Sequence, residues 1–176
     1  MKKYLILIFV FTSSFAAWSQ DTTIVRKDLG FSITFPGSPI YTINPGGEFN
    51  EEVHTYLYKT SLSEYDSNLA YSVINFVIID TMNILKQAEV IDSALHEGAR
   101  KAAKGLNGQI IEENRITIDS FPGNETKIDF RNGFAIIHSK MFLVESKMYL
   151  LQVIYPTENK GNRDIDKFFN SFRLLP

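Results

Sequence analysis

The chain has 176 residues, of which 44% are hydrophobic and 22% charged, and its formal net charge is -2 at pH 7. This composition is typical of a globular protein. Charges of both signs are interspersed, so no long-range field favours nucleic acid or an anionic membrane as a partner. The sequence contains no cysteine, which excludes thiolate catalysis, zinc ribbons, iron–sulfur clusters and disulfides.

The first twenty residues are typical of a secretory signal peptide. A basic start, Lys2-Lys3, precedes an apolar run of about eight residues, Tyr4 to Phe11, which is too short to span a membrane. Ala17-Trp18-Ser19 then fits a cleavage site with small residues at its first and third positions. We therefore expect a signal peptide over residues 1–19 and cleavage near Ser19/Gln20. The mature chain should be exported, periplasmic or secreted, with no membrane span and, without cysteine, no lipid anchor.

Residues 20–176 have the length of one globular domain, and no linker or low-complexity run divides them. Alternating or apolar runs predict strands at 31–35, 52–60, 69–79, 109–118, 126–130, 134–144 and 147–155. The last two flank a short polar link and predict a hairpin. Phe35-Pro36-Gly37 and Phe121-Pro122-Gly123 each follow an alternating run, so we interpret both as a strand end and a turn.

Two segments carry the three- and four-residue spacing of amphipathic helices. The first runs from Ala88 to Leu106, and its predicted apolar face comprises Ile91, Leu95, Ala99, Ala102 and Leu106. The second runs from Arg163 to Phe172, with Ile165, Phe168, Phe169 and Phe172 on its apolar face. Lys127 and Asp129 should lie on a solvated strand face. Strands in tandem with one central and one C-terminal helix predict an α+β fold with a mostly antiparallel sheet.

Several local motifs together resemble the PsbP-like fold family, which includes PsbP and DcrB-like exported proteins. They are the strand that ends in Phe35-Pro36-Gly37, the central helix, the Phe121-Pro122-Gly123-Asn124-Glu125 segment, the strand Met148 to Val153, and the ending Phe168 to Leu174. The resemblance implies an α/β/α sandwich from about Leu29 to Pro176. Because members of this family mostly bind partners, it also implies a non-catalytic accessory role.

Motifs for common enzyme chemistry are absent from the sequence. It contains no G-x-S-x-G, H-E-x-x-H, G-x-G-x-x-G or Walker A pattern. The run Asn162 to Asp166 resembles the start of an EF-hand loop, but Lys167 replaces the required glycine and Arg173 the bidentate glutamate. We interpret this run as a helix start, and we expect no catalytic residue, metal or organic cofactor.

A few histidines and acids leave an enzymatic alternative open. His54 and His138 could meet near Glu112 or Glu113 as a two-histidine, one-carboxylate cluster, whereas His96 should lie on a polar helix face. The adjacent pairs Glu51-Glu52 and Glu112-Glu113 cannot act as units, because neighbouring strand residues face opposite sides. A hydrolase would need a site gathered from different strands.

Such a hydrolase could use Glu112, Glu125 and Asp129, together with His54 or His138. Its signature would be histidine and carboxylate within about 4 Å of each other in a cleft. The favoured function, binding, could use a surface formed by the tyrosines Tyr56, Tyr58, Tyr65 and Tyr71, although the same tyrosines could instead pack in the core.

The sequence therefore favours an exported, non-catalytic accessory or binding domain for an unidentified protein or small ligand. A carboxylate-dependent hydrolase and a structural component of an envelope assembly are the alternatives.

Overall fold

The computed structural model describes residues 21–47, 51–60, 68–79 and 88–176. The predicted signal peptide and Tyr65 lie outside the described residues. None of the helices in these four ranges is long and apolar enough to cross a bilayer.

The described ranges contain ten strands. In chain order they are β1 (Thr22–Arg26), β2 (Phe31–Phe35), β3 (Ile40–Asn44), β4 (Val53–Lys59), β5 (Ala70–Val77), β6 (Gln109–Ile118), β7 (Phe121–Phe130), β8 (Ala135–Val144), β9 (Lys147–Pro156) and β10 (Arg173–Leu174). The helices are α1 (Ala88–Gly105), α2 (Arg163–Ser171) and a single 3-10 turn, Thr157–Asn159.

These strands form two antiparallel sheets. The larger has seven strands in the order β3-β4-β5-β9-β8-β7-β6, and the smaller has the order β1-β2-β10. Strands β5 and β9 lie inside the larger sheet, as the apolar sequence of β5 predicts. The α+β fold class with a mostly antiparallel sheet is confirmed.

The main core lies between the larger sheet and a layer made of the smaller sheet and α2. Phe31, Ile33 and Phe35 of β2 are fully buried there, because strict alternation directs all three to one face. Helix α2 adds Phe168 and Phe169, and its first turn is capped by the Asn162 side chain, which accepts a hydrogen bond from the Ile165 amide. The residues with EF-hand likeness thus begin a helix, as predicted.

Helix α1 covers the opposite face of the larger sheet. Leu95, Ala99 and Ala103 are buried at four-residue spacing, and Ala103 packs against Ile128 and Ile137. Ile137 and its neighbour Ile136 point to opposite faces, and Ile136 belongs to the main core. The predicted layer order, with helical elements on both sides of a sheet, is therefore present.

The predicted apolar face of α1 was wrong at its C-terminal end. Ala102 and Leu106 are exposed, whereas Ala103 is buried in their place. The buried stripe advances by four residues at each step, so after Ala99 it reaches position 103. Ile91 is only partly buried.

The second Phe-Pro-Gly tripeptide is not a turn. Strand β7 begins at Phe121, five residues before the predicted start, and the chain reverses at Asp119 and Ser120, both with positive φ. Gly123 is required within β7, because a Cβ atom there would lie 2.5 Å from the Phe142 ring. The first tripeptide does follow the end of β2, as predicted.

Three short strands were not predicted: β1, β3 and β10. Each lies at an edge or is only two residues long, so pairing with a neighbour decides its conformation. The predicted solvated face of β7 was also wrong at Lys127 and Asp129, which are half-buried. Lys127 faces His138 of β8, and Asp129 accepts a hydrogen bond from the Gly133 amide at 2.7 Å.

Candidate functional site

The predicted tyrosine surface is largely part of the core. Tyr56 is 4% exposed and Tyr71 is 1% exposed, and Tyr58 packs half-buried beside Tyr71 with ring centroids 6.1 Å apart. The core-packing alternative therefore holds for Tyr56 and Tyr71, and neither offers contact area to a partner. Tyr41, the cross-strand partner of Tyr56, was missed by the sequence analysis and is 38% exposed.

Tyr41 belongs to a stack of three side chains that joins the two sheets. Its ring stacks on Tyr56 with centroids 4.6 Å apart, and the Arg26 guanidinium lies 5.1 Å from the Tyr41 ring centroid. Arg26 also donates a hydrogen bond to the Tyr56 hydroxyl and forms an ion pair with Asp28. Because these contacts converge on one guanidinium, they hold β1 above β3 and β4.

Contacts within and beside this stack change the pKa values of Arg26, Asp28 and Tyr56. The hydrogen bond to Asp28 raises the pKa of Arg26 above its ordinary value, and the same bond lowers the pKa of Asp28 to about 2. Burial raises the pKa of the Tyr56 hydroxyl, against the opposing effect of Arg26. All three groups therefore keep their charge states near neutral pH.

His54 extends the stack along the sheet surface. Its Nδ1 lies 2.8 Å from the Tyr41 hydroxyl, and the two rings are parallel. His54 also lines a cavity of about 270 Å³, together with Asp28, Leu29, Glu51, Glu52, Asn75 and Val77. His54 thus supports the edge of the larger sheet.

That edge, strand β3, is exposed along its whole length. All five residues from Ile40 to Asn44 are exposed, and the Ile40 and Ile43 side chains are 69% and 51% exposed. Strand β4 pairs with one side of β3, and no described strand pairs with the other. The run carries no charged residue, and Pro39 and Pro45 bound it.

The opposite edge of the larger sheet, strand β6, has different chemistry. It carries Glu112, Glu113 and Arg115, and a register shift between Ile110 and Glu112 interrupts its pairing. Charges and bulges are the usual protection of an edge strand against pairing with another chain. Strand β3 has neither, although its short length and its two prolines restrict any added strand to a narrow register.

The proposed two-histidine cluster does not form, because strands β5 and β9 separate the strands of His54 and His138. Within the described ranges, no group of three or more histidine and acidic residues could hold a metal ion. The prediction that adjacent glutamates diverge is confirmed at one pair: Glu112 accepts a hydrogen bond from Lys127, and Glu113 accepts one from Asn124 on the other face.

His138 and Glu125 do meet. The imidazole Nε2 lies 2.7 Å from the Glu125 carboxylate, which Lys140 also contacts at 3.4 Å. His138 and Glu125 are thus as close as the histidine and carboxylate of a hydrolase should be. The other two acids of that hypothesis do not join them, because Glu112 contacts Lys127 and Asp129 contacts the turn at Gly133. The His138 ring is 9% exposed, and the Phe169 ring lies 4.7 Å away between centroids.

Burial and charge compete at this pair. Burial lowers the pKa of His138 below its ordinary 6.5, and the hydrogen bond that His138 donates to Glu125 only partly opposes this shift. Burial alone would raise the pKa of Glu125, but the hydrogen bond from His138 and the charge of Lys140 outweigh it and lower the pKa. The pair is thus a half-buried contact of the sheet with α2.

The comparison with solved structures agrees with the architecture, whereas two other comparisons found no match. No model of a protein family matches the chain, and no curated protein matches it. Among solved structures, it is similar to the solution structure of cyanobacterial PsbP (CyanoP) from Synechocystis sp. PCC 6803, with a TM-score of 0.60 and 10% sequence identity. The match covers 94% of this chain and 99% of that chain. With its seven-stranded antiparallel sheet between α1 on one face and the layer of α2 and the smaller sheet on the other, the chain therefore has the PsbP-like fold.

Proposed function

We propose that this protein is an exported, non-catalytic binding domain that accepts an extended segment of a partner protein along strand β3. The observation that carries the proposal is the uncharged β3 edge, exposed at all five residues and carrying two exposed isoleucines. An open edge presents backbone donors and acceptors that an added strand can satisfy, and the exposed side chains give that strand apolar contacts.

The local packing supports a rigid docking edge. Tyr41 is stacked on Tyr56 and contacted by Arg26 and His54, so the strand is held from one face before any partner arrives. Preorganisation of this kind lowers the entropic cost of binding. The charged, bulged edge β6 lacks this combination, and we therefore assign the partner to β3.

Export is the second part of the proposal. It is supported by the basic start, the short apolar run and the small residues at Ala17 and Ser19. Export does not depend on the β3 assignment, and mass spectrometry tests it separately.

The hydrolase alternative would have to use His138 and Glu125. Lys140 shares the carboxylate, Phe169 packs against the imidazole, and the His138 and Glu125 side chains are only 9% and 21% exposed, so solvent and substrate have little access to the pair. A general base instead needs access to the proton that it removes. We therefore favour the non-catalytic function.

The experiment compares Ile43→Lys on β3 with Ile111→Lys on β6, since both isoleucines are about half exposed on edge strands. Each tagged variant and the wild-type protein are incubated with native envelope extract, and captured proteins are quantified by mass spectrometry. We expect a partner that wild type and Ile111→Lys retain and Ile43→Lys loses, because an introduced charge disfavours strand addition.

Circular dichroism melts of all three proteins check that the variants fold. Absence of any specific partner would contradict the proposal, and so would a partner that Ile43→Lys retains in full. A partner recovered at fixed stoichiometry in a large complex would identify the structural component of an envelope assembly, with β3 as its contact.

A further inference from the structure

A second candidate site lies on the other side of the molecule, in a cleft between α1 and strands β6 and β7. The cleft has a volume of about 200 Å³, below the range typical of drug-sized ligands. Its walls carry Asp92 and His96 from α1, Glu113 and Arg115 from β6, and Asn124 from β7, above the buried side chain of Leu95. It therefore combines an apolar floor with charged groups of both signs.

Glu113 is held in one orientation by two neighbours. Its Oε1 lies 2.9 Å from His96 Nδ1 and accepts a hydrogen bond from Asn124 Nδ2 at 2.6 Å. Asn124 is itself buried, so it fixes the carboxylate from below. Among the described residues, none forms a hydrogen bond with Oε2 of Glu113. That oxygen is available to a donor in the cleft.

Arg115 supplies the opposite charge. It lies two residues after Glu113 on the same strand, so both side chains share a face and their Cα atoms lie about 7 Å apart. One guanidinium nitrogen contacts Asp92 at 2.8 Å. A guanidinium has five N–H donors, and the others can take a carboxylate in the usual two-pronged geometry.

We propose that this cleft binds a free α-amino acid as its zwitterion. The ammonium group donates to Glu113 Oε2, the carboxylate accepts from Arg115, and a small side chain lies over Leu95. The single-carbon link between the two charges of an amino acid suits the short spacing of Glu113 and Arg115. A peptide carries its two terminal charges farther apart, so we expect L-alanyl-L-alanine to bind more weakly than L-alanine.

Backbone amide chemical shifts of the isotopically labelled protein test this proposal. The protein is titrated to about 10 mM with glycine, L-alanine or L-serine, and separately with ethylamine, propionate and L-alanyl-L-alanine. We expect saturable shifts around Asp92, Glu113 and Asn124 with the amino acids. Ethylamine and propionate each lack one charge and should bind at least about tenfold more weakly, because a charge-assisted hydrogen bond is lost.

Three variants complete the test. Glu113→Gln keeps an Oε1 acceptor for His96 and Asn124 but loses the charge, and Arg115→Met loses the guanidinium; each should weaken binding at least about tenfold. Arg100→Gln is the control, because Arg100 lies exposed on α1 and faces Glu97. It should bind as wild type does.

The proposal is overturned if no amino acid shifts the amide signals of the cleft, or if ethylamine and propionate bind as tightly as the amino acids. It is also overturned if Glu113→Gln binds amino acids with the wild-type affinity. Ile43→Lys should bind amino acids as wild type does, so failure here is distinguishable from failure of the β3 assignment.

Discussion

The guanidinium of Arg26 lies 5.1 Å from the ring centroid of Tyr41, and these two residues occupy the edge strands of two different sheets. The same guanidinium contacts Tyr56 and Asp28. One side chain of β1 thus fixes the smaller sheet over the edge that we propose as the docking strand.

Arg26→Ala should lower the free energy of unfolding by about 1–3 kcal/mol, because it removes a hydrogen bond to the Tyr56 hydroxyl and a cation–π contact with Tyr41. Lys27→Ala alters an exposed neighbour and should change stability by less than about 0.5 kcal/mol. Urea unfolding of both variants measures the difference. Equal losses would show that the stack does not contribute to stability.

Leu95→Ala should cost about 2–5 kcal/mol, since it leaves a cavity under α1. Leu106→Ala is the same substitution at an exposed position just beyond the helix and should cost less than about 1 kcal/mol. The measurement is again urea unfolding. If Leu106→Ala proved the more destabilising of the two, the observed face of α1 would be wrong.

Gly123→Ala and Gly105→Ala should have opposite effects. At Gly123 the new methyl group meets the Phe142 ring at 2.5 Å and the Met141 carbonyl at 2.6 Å, so we expect a loss of about 1–3 kcal/mol. At Gly105 nothing lies within 4 Å, and alanine should stabilise the helix by about 0.5–1 kcal/mol. Thermal melts with the same sign for both variants would contradict this prediction.

The pair His138 and Glu125 should make the protein sensitive to acid. Both pKa values are lowered in the folded state, so the unfolded chain binds more protons and the stability of the fold decreases as pH falls. The stability that His138 contributes is present above pH 6.5, the ordinary histidine pKa, and is lost as pH falls through its lowered pKa. The stability that Glu125 contributes is present above its ordinary pKa of 4.5 and is lost as pH falls through its own lowered pKa.

His138→Gln removes the upper of these two steps. The free energy of unfolding is measured for wild type and variant at pH 7.5, 6 and 5, values that bracket the ordinary histidine pKa. The two free energies should converge as pH falls, because only the wild type loses the stability that His138 contributes. The positive charges of Lys127 and Lys140 act on the same imidazole, and both lysines are present in wild type and variant alike. A constant difference between the two proteins would contradict the prediction.

Cleavage near Ser19/Gln20 is tested by the intact mass of the protein recovered from its native envelope or secreted fraction. We expect a mass that begins at Gln20 or its close neighbour. A mass that retains Met1 to Trp18 would refute the predicted signal peptide.

The sequence alone determined the elements whose patterns are local. Alternation located β2 and β6 to the residue, and helical spacing located α1 and α2 to within one residue of their ends. The opposed faces of Glu112 and Glu113 follow from strand geometry alone. These features need no knowledge of the partner strands, because burial on one face is already encoded in the period of apolar residues.

The tertiary structure alone decided which side chains meet. Tyr56 is buried and Tyr41 is exposed because β4 lies inside the sheet and β3 lies at its edge, and both strands carry similar residues. His138 meets Glu125 rather than His54 because β8 pairs with β7. Strand order depends on the combined packing of residues far apart in the chain. The spacing of apolar residues within one strand or helix therefore cannot predict it.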